Sequence, residues 1–117
     1  MNMKILYVDD EEMNLMVFKF HFGKNYEVIL ANSGKEGLEV LESEPDIPVV
    51  VSDMRMPGMD GLEFIKEAKA KLPSTKYFIL TGFDISPEIQ DALQKKLIEK
   101  YFQKPIDMQK LEEFIIS

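Results

Sequence analysis

An apolar segment in the middle of the chain, ending in a single carboxylate, is the strongest constraint on the fold. The β-branched run at residues 49–51 continues without a polar side chain to Ser52, which is typical of a strand buried on both faces. Asp53 follows at the carboxyl end of this strand, and Pro57-Gly58 then marks a turn. Open α/β sheets keep their chemistry at this end of their strands, but aspartate is also common at the start of turns. The segment alone leaves both interpretations of Asp53 open.

Strand-like and helix-like segments alternate along the rest of the chain. Short apolar runs predict strands at residues 3–8, 26–31, 47–52, 75–81 and 97–103. Apolar residues at helical spacing and capping signals predict helices at residues 13–22, from Ser33 to before Pro45, from Asp60 to before Pro73, from Ser86-Pro87, and from Asp107. Two of these starts, Ser33 with Glu36 and Asp60 with Glu63, have the spacing of a capping box. Five strands alternating with five helices predict a parallel sheet covered on both faces, because parallel neighbours need right-handed helical crossovers.

Composition excludes several classes of protein. The chain has the length of one domain, and we expect a single domain over residues 1–117. A net charge of -7 with no basic patch argues against binding to nucleic acid. The lack of cysteine excludes disulfides and thiolate metal sites, and no segment resembles a signal peptide or a membrane span. We therefore expect a cytoplasmic protein that binds neither nucleic acid nor membranes.

The predicted sheet would bring five polar side chains to one edge. Asp9 and Asp10 follow the first strand, Asp53 the third, Thr81 the fourth and Lys104 the fifth. Since the carboxyl ends of parallel strands share an edge, these side chains are expected to converge in one crevice. Three neighbouring carboxylates repel one another, and a hard cation that prefers oxygen ligands would offset that repulsion. The pattern therefore predicts a site for Mg²⁺ or Mn²⁺.

The chain resembles the receiver domain of bacterial two-component response regulators in an ordered set of motifs. These are Asp9-Asp10, Asp53 followed by MPGMDG at residues 56–61, Thr81-Gly82, and Tyr101 three residues before Lys104-Pro105. The resemblance covers residues 3–116. It implies an α/β, three-layer flavodoxin-like (βα)5 fold with a five-stranded parallel sheet of order 2-1-3-4-5 and a site at the switch point of that order.

The resemblance also implies a phosphoryl-transfer site. Asp53 would take a phosphoryl group from the phosphohistidine of a histidine kinase or a phosphotransfer domain and form an acyl phosphate. Asp10 and Asp53 would bind the metal directly, together with the main-chain carbonyl of Arg55. Asp9 would act through a metal-bound water.

Three further residues are implied to read the phosphate. Lys104 would pair with it, Thr81 would donate its hydroxyl, and the ring of Tyr101 would enter the space that Thr81 leaves. The Lys104-Pro105 peptide is expected to be cis. The surface formed by the fourth helix, fifth strand and fifth helix would then change for a downstream partner. Each residue also has a structural alternative: a surface lysine, a threonine chosen for strand propensity, and a core aromatic.

Three functional classes fit these residues. The best supported is a phosphorylatable signalling switch, which is not an enzyme beyond promoting its own phosphorylation and dephosphorylation. A degenerate receiver could instead be a constitutive interaction module, although the complete set of polar residues argues against it. A metal-dependent phosphatase or mutase typically has a second aspartate two residues after its nucleophile, where this chain has Arg55. In the first class the output comes from a protein partner or from an output domain outside this sequence.

Two helices depart from the simplest expectation. The first has one apolar stripe of Leu15, Phe18 and Phe22 and a second, on nearly the opposite side, of Met13, Met16, Val17 and Phe20. Either a neighbouring helix covers the second stripe, or it forms a partner surface beside the acidic pair, where the family docks its phosphodonor. The helix before the fifth strand usually ends in glycine, but residues 94–98 contain none, so we expect a longer helix or a reshaped loop.

Overall fold

Five strands alternate with five helices in the structure, a computed structural model that describes residues 3–82 and 85–117. The strands are β1 (Lys4–Val8), β2 (Glu27–Ala31), β3 (Val49–Asp53), β4 (Lys76–Thr81) and β5 (Lys100–Gln103). The helices are α1 (Glu12–Phe22), α2 (Gly34–Ser43), α3 (Gly61–Lys71), α4 (Pro87–Gln94) and α5 (Met108–Ile116). Within the described ranges, no helix has the length and apolar character needed to cross a membrane.

The strands form one parallel sheet in the order β2-β1-β3-β4-β5, which confirms the predicted order. In this register Val8 pairs with Ser52, and Asp53 pairs with Leu80. Thr81 pairs with Gln103 at the end of the neighbouring strands. The polar residues at the end of β3 and β4 and just after β1 and β5 therefore share one edge, beside the point where the strand order reverses.

Helices cover both faces of the sheet, so the predicted three-layer arrangement is confirmed. On one face, side chains of the central strands pack with those of α2, α3 and α4, around Val50, Phe64 and Ile79. On the other face they pack with α1 and α5, around Tyr7 and Phe18. Alternate residues of each central strand enter opposite layers, which explains why these strands are apolar throughout.

Side-chain caps begin four helices at the predicted residues, which are Ser33 for α2, Asp60 for α3, Ser86 for α4 and Asp107 for α5. Asp60 and Glu63 form the complete capping box at α3, and Ser86 accepts the Ile89 N–H at 3.2 Å at the start of α4. The box predicted for α2 is only half formed. The Ser33 hydroxyl accepts the Glu36 N–H, but the Glu36 carboxylate accepts the N–H of residue 32 instead of that of Ser33.

The fifth strand begins at Lys100, so the prediction of a strand from residue 97 was wrong. Residues 95–97 instead close α4 with a Schellman motif: Leu97 donates its N–H to Ala92 O at 2.9 Å, and Lys96 donates to Leu93 O at 3.0 Å. Lys96 has a φ of 60°, the left-handed conformation for which glycine is usual. The missing glycine therefore does not lengthen the helix, because a lysine occupies the glycine position of the turn.

The two apolar stripes of α1 have different surroundings. Leu15, Phe18 and Phe22 are buried against the sheet. The other four side chains are between 50% and 78% exposed, and they are Met13, Met16, Val17 and Phe20. The interpretation that a neighbouring helix covers the second stripe was therefore wrong. We call these four residues the α1 patch.

Candidate functional site

Three aspartates meet at the carboxyl edge of the sheet, as predicted. Asp9 and Asp53 are buried and Asp10 is exposed, and one carboxylate oxygen of each lies within 4.8 Å of the others. A group of this kind suits a hard divalent cation, which prefers oxygen ligands and neutralises their mutual repulsion. The donor set therefore fits Mg²⁺ or Mn²⁺, with Asp10 facing solvent where water could complete the coordination.

The end of β1 fixes Asp9 through several hydrogen bonds. Its main-chain N–H donates to Ala31 O at 3.1 Å, which continues the ladder between β1 and β2. One carboxylate oxygen, Oδ1, accepts the Glu11 N–H at 2.9 Å, and the other, Oδ2, accepts the Tyr7 hydroxyl at 2.5 Å. Burial and the Asp9 carboxylate both raise the pKa of Tyr7, which keeps the phenol protonated as a donor. Both oxygens of Asp9 therefore already have protein donors.

Sequence reasoning missed Tyr7. It treated this residue as part of the apolar body of β1, because tyrosine is common in strands. The available signal was the spacing: residues two apart in a strand point to the same face, so a tyrosine two residues before a terminal aspartate can reach its carboxylate.

Lys104 forms an ion pair with Asp53 across the site, with Lys104 Nζ 2.9 Å from Asp53 Oδ1. Its main-chain N–H donates to Thr81 O at 2.8 Å, and the Lys104-Pro105 peptide is cis, as expected. Burial raises the pKa of Asp53, an effect that the lysine opposes and Asp9 reinforces. Burial alone would lower the pKa of Lys104, but the carboxylates around it raise that pKa overall. Lys104 therefore carries a positive charge, which faces a group of closely spaced carboxylates.

The remaining predicted residues surround this group. Thr81 is buried at the end of β4, one residue beyond the partner of Asp53 in the sheet. Tyr101 is half-buried against the core layer of α2, α3 and α4. Arg55 is exposed two residues beyond Asp53. In the sequence, Phe83 stands two residues beyond Thr81, a position that in this family influences the lifetime of the acyl phosphate, and it lies outside the described residues. The roles assigned to these side chains stay predictions.

A groove of about 280 Å³ connects the site with α1. Lys104 and Tyr7 of the site line this groove, together with Val17 of the α1 patch, Pro105 and Met108. One residue of the α1 patch, Val17, therefore lines the same groove as the lysine that pairs with Asp53.

Comparison with known proteins identifies the family. The family model for the response regulator receiver domain matches residues 5–116. The transcriptional regulatory protein ZraR of Escherichia coli (strain K12) is 34% identical over 112 residues, which are 95% of this chain and 25% of that protein. Sporulation initiation phosphotransferase F of Bacillus subtilis (strain 168) is 31% identical over 117 residues, covering 98% of this chain and 92% of that protein. The chain thus spans about a quarter of transcriptional regulators such as ZraR but nearly all of the phosphotransferase.

Solved structures agree with these sequence relatives. The chemotaxis protein CheY4 of Vibrio cholerae superposes with a TM-score of 0.88 at 26% identity, over 98% of this chain and 97% of that one. A second solved structure is that of the response regulator protein TrrA of Thermotoga maritima in complex with Mg²⁺-BeF. It has a TM-score of 0.83 at 28% identity, over 97% of this chain and 96% of the TrrA chain. The match over residues 5–116, the sheet order and the cluster of aspartates agree: this chain belongs to the family of response regulator receiver domains.

Proposed function

We propose that this chain is a phosphorylation-dependent switch of a two-component system and that Asp53 is its phosphoacceptor. The observation that carries the proposal is the environment of Asp53. Its buried carboxylate lies in a cluster with two other aspartates and pairs with Lys104 at 2.9 Å. A nucleophile, a set of metal ligands and a cation for phosphate are thus present together at one edge of the sheet.

The proposed reaction transfers a phosphoryl group from a phosphohistidine to Asp53. A bond forms between an Asp53 carboxylate oxygen and phosphorus, the bond from phosphorus to the imidazole nitrogen breaks, and the imidazole leaves with the electron pair. Asp10, Asp53 and the main-chain carbonyl of Arg55 would hold Mg²⁺ or Mn²⁺, with Asp9 acting through a bound water. The metal supplies positive charge that stabilises the transferred oxygens.

Phosphorylation of Asp53 would then move side chains of β4 and β5 and the lysine that follows β5. It adds about -1.5 to -2 units of charge at Asp53, which attracts the Lys104 ammonium and the Thr81 hydroxyl. Ile79 and Thr81 of β4 pair with Tyr101 and residue 103 of β5, so the side chains of Thr81 and Tyr101 belong to the same face of the sheet. A shift of Thr81 would make room for Tyr101 and alter the surface of α4, β5 and α5.

Two other functions are less well supported. A constitutive interaction module would have no need for the pairing of Lys104 with Asp53. A phosphatase or mutase would need an acid-base carboxylate two residues after Asp53, where Arg55 stands. Receiver domains are regulatory phosphoacceptors, and the only reactions proposed for this chain are its own phosphorylation and dephosphorylation. The proposed partners are a histidine kinase or histidine phosphotransfer domain and a downstream protein or output domain, and the proposed location is the cytoplasm.

The test is the intact mass of the protein after incubation with acetyl phosphate, with and without Mg²⁺. We expect a gain of one phosphoryl group that requires Mg²⁺ and is absent in Asp53→Asn, because the amide cannot act as the nucleophile. Asp46→Asn is a suitable control, since Asp46 is an exposed aspartate that pairs with Lys4. A phosphoryl gain that persists in Asp53→Asn would place the phosphate elsewhere. No gain in the wild-type protein from acetyl phosphate or from a phosphohistidine donor would favour the constitutive module.

The α1 patch is proposed to dock the phosphodonor domain. Its helix begins two residues after Asp10, and its Val17 lines the groove that Lys104 also lines. We expect Val17→Asn to slow transfer from a phosphorylated histidine phosphotransfer domain at least about fivefold, because a desolvated apolar contact at an interface centre is worth about 1 kcal/mol or more. Phosphorylation by acetyl phosphate should be unchanged, since this small donor needs no docking surface. Stopped-flow or rapid-quench transfer kinetics would measure both rates.

The control for this experiment is Ile116→Asn on α5, which replaces an apolar side chain that is 63% exposed, much like those of the α1 patch. It should leave both rates unchanged. Equal transfer rates for Val17→Asn and the wild-type protein would refute docking at the α1 patch, and equal slowing by Ile116→Asn would show a nonspecific effect.

A further inference from the structure

Tyr7 lies directly beneath the acidic cluster and is buried in the layer between the sheet and α1. Its ring stacks on Phe18 of α1, with the ring centroids 4.1 Å apart and the planes inclined by 11°. Its hydroxyl donates to Asp9 Oδ2 at 2.5 Å. The phenol is thus held at both ends, by an aromatic stack and by a carboxylate.

The Asp9 carboxylate has no contact with solvent and depends on two protein donors. The Glu11 N–H holds Oδ1 through the backbone at the start of α1, so a side-chain substitution at residue 11 leaves that bond in place. The Tyr7 hydroxyl holds Oδ2 and therefore determines the remaining rotation of the carboxylate. These two donors leave some lone pairs of the Asp9 carboxylate free. Those lone pairs are available to a cation that Asp10 and Asp53 bind.

We propose that Tyr7 is a positioning residue, which orients the Asp9 carboxylate for a divalent cation bound by the aspartate cluster. The inference rests on the proposed function, because it concerns the same metal site. According to this proposal, the metal site needs more than its aspartates. It also needs the Tyr7 hydroxyl, which does not bind the metal but fixes the Asp9 carboxylate before the metal binds.

The physical basis is preorganisation. Without the hydroxyl, Asp9 Oδ2 would be a buried charged oxygen with no donor, and the carboxylate could turn towards other positive groups such as the Lys104 ammonium, which feels the charge of Asp9. Metal binding would then have to reorder the carboxylate, which weakens the observed affinity. Groups that orient metal-bound or water-bridging ligands in this way typically change metal affinity by about 10–100-fold when they are removed.

The decisive experiment compares Tyr7→Phe with Tyr77→Phe in the whole chain. Both changes remove one hydroxyl from a buried tyrosine; that of Tyr77 donates to Leu72 O at 2.9 Å, at the far end of β4 from the aspartates. Binding of Mn²⁺ is measured by the electron paramagnetic resonance signal of the free ion, which needs no enzymatic activity. We expect Tyr7→Phe to bind Mn²⁺ about tenfold more weakly than the wild-type protein, and Tyr77→Phe to bind it equally well.

Each outcome supports or contradicts a distinct statement. Equal affinity for Tyr7→Phe and the wild-type protein would overturn the proposal, since the hydroxyl would then serve stability alone. Tighter binding would also overturn it, because Tyr7 would act as a partial counter-charge that the metal replaces. Failure of the wild-type protein to bind Mn²⁺ would contradict the proposed function itself. If Tyr7→Phe is too unstable to fold in plain buffer, its Mn²⁺ affinity is compared with that of the wild-type protein in a stabilising osmolyte such as sucrose, and equal affinity there would overturn the proposal.

Discussion

Replacement of Lys104 by methionine is expected to destabilise the metal-free protein by about 2 kcal/mol, while it tightens the binding of Mg²⁺. The lysine lies 2.9 Å from Asp53 Oδ1, within a cluster of three carboxylates. Methionine preserves the length of the side chain and removes the charge. Asp53 would then be a buried carboxylate whose neighbours are also negative.

The magnitude follows from the exposure of the pair. Removal of one partner from a fully buried ion pair costs about 3–5 kcal/mol, because the other charge stays buried without compensation. The Lys104 side chain is 31% exposed, so water screens part of the interaction. We therefore expect about 2 kcal/mol, which is less than the cost for a fully buried pair. In a chain of this size, 2 kcal/mol corresponds to a decrease in melting temperature of roughly 6–10 °C.

Mg²⁺ should restore much of the lost stability. In the wild-type protein the lysine and the metal compete for the negative charge of Asp53, whereas in Lys104→Met only the metal supplies a positive charge to it. Thermal unfolding across a Mg²⁺ titration measures both effects. Lys71→Met is the control, because Lys71 pairs with Glu42 on the exposed surface, where such a pair contributes little.

Two results would contradict this account. If Lys104→Met is as stable as Lys71→Met without metal, the ion pair does not compensate the aspartates. If Mg²⁺ stabilises Lys104→Met less than the wild-type protein, the lysine helps to bind the metal instead of competing with it. The expected sign is opposite to that for Tyr7→Phe, so the two variants separate the charge of the site from its geometry.

Much of the fold could be predicted because local patterns and global topology agree. The apolar segments alternate with amphipathic ones, and parallel neighbours permit only helical crossovers. Residues 97 and 98 show where this reasoning failed. They are apolar and continue into β5, so they suggested strand, but in the structure they pack into the core from the turn that closes α4. A periodic pattern reports that a residue is buried, and the geometry of the turn decides which element it belongs to.

The two stripes of α1 illustrate a second limit. Helical periodicity places Phe18 and Phe20 on different sides of the helix, but it contains no information about which side another element covers. Only the packing of α1 on the sheet shows that Phe18 is buried and that Phe20 is exposed.

The part of the site that could be predicted is the set of polar side chains that the strand ends bring together. The meeting of Asp9, Asp10 and Asp53 follows from the neighbouring positions of β1 and β3 in the sheet. The pairing of Lys104 with Asp53 crosses the end of β4, which lies between their strands, and is possible because the long lysine side chain reaches over the edge of the sheet. The two-residue spacing places Tyr7 and Asp9 on the same face, but their hydrogen bond also depends on side-chain rotamers and on the stack with Phe18 of α1, which that spacing does not reveal. The sequence therefore indicates which groups meet, whereas the structure shows what holds them.

Gly61→Ala is expected to have the largest effect on the site among substitutions outside the predicted functional residues. Gly61 begins α3, and its N–H donates to Met54 O at 2.9 Å, which folds the loop after β3 back onto the strand end. An added Cβ would meet the main-chain oxygen of Asp53 closer than real non-bonded atoms approach, and it would lie 2.9 Å from Ile79 Cδ1 and 3.1 Å from Met54 Cα. Two of these three atoms belong to the backbone, so rotation of a side chain cannot relieve the contact.

We expect Gly61→Ala to destabilise the protein by about 3 kcal/mol, the upper range for added volume in a packed region. The strand end that has to move carries Asp53, so Mn²⁺ affinity and phosphorylation by acetyl phosphate should fall together with stability. Chemical denaturation, metal binding and intact mass measure the three quantities on the same sample.

Gly58→Ala provides the matched control in the same loop. Gly58 has a φ of 82°, but an added Cβ would have no atom within 4 Å, so the substitution tests conformational strain without a steric contact. It should cost about 1–2 kcal/mol and leave metal affinity nearly unchanged. If Gly61→Ala loses no more stability than Gly58→Ala and keeps its metal affinity, close packing of α3 on the Asp53 carbonyl does not set the position of the phosphoacceptor. If only Gly61→Ala loses both, the close contact at Gly61 is what holds Asp53 in position relative to Asp9 and Lys104, which follow β1 and β5.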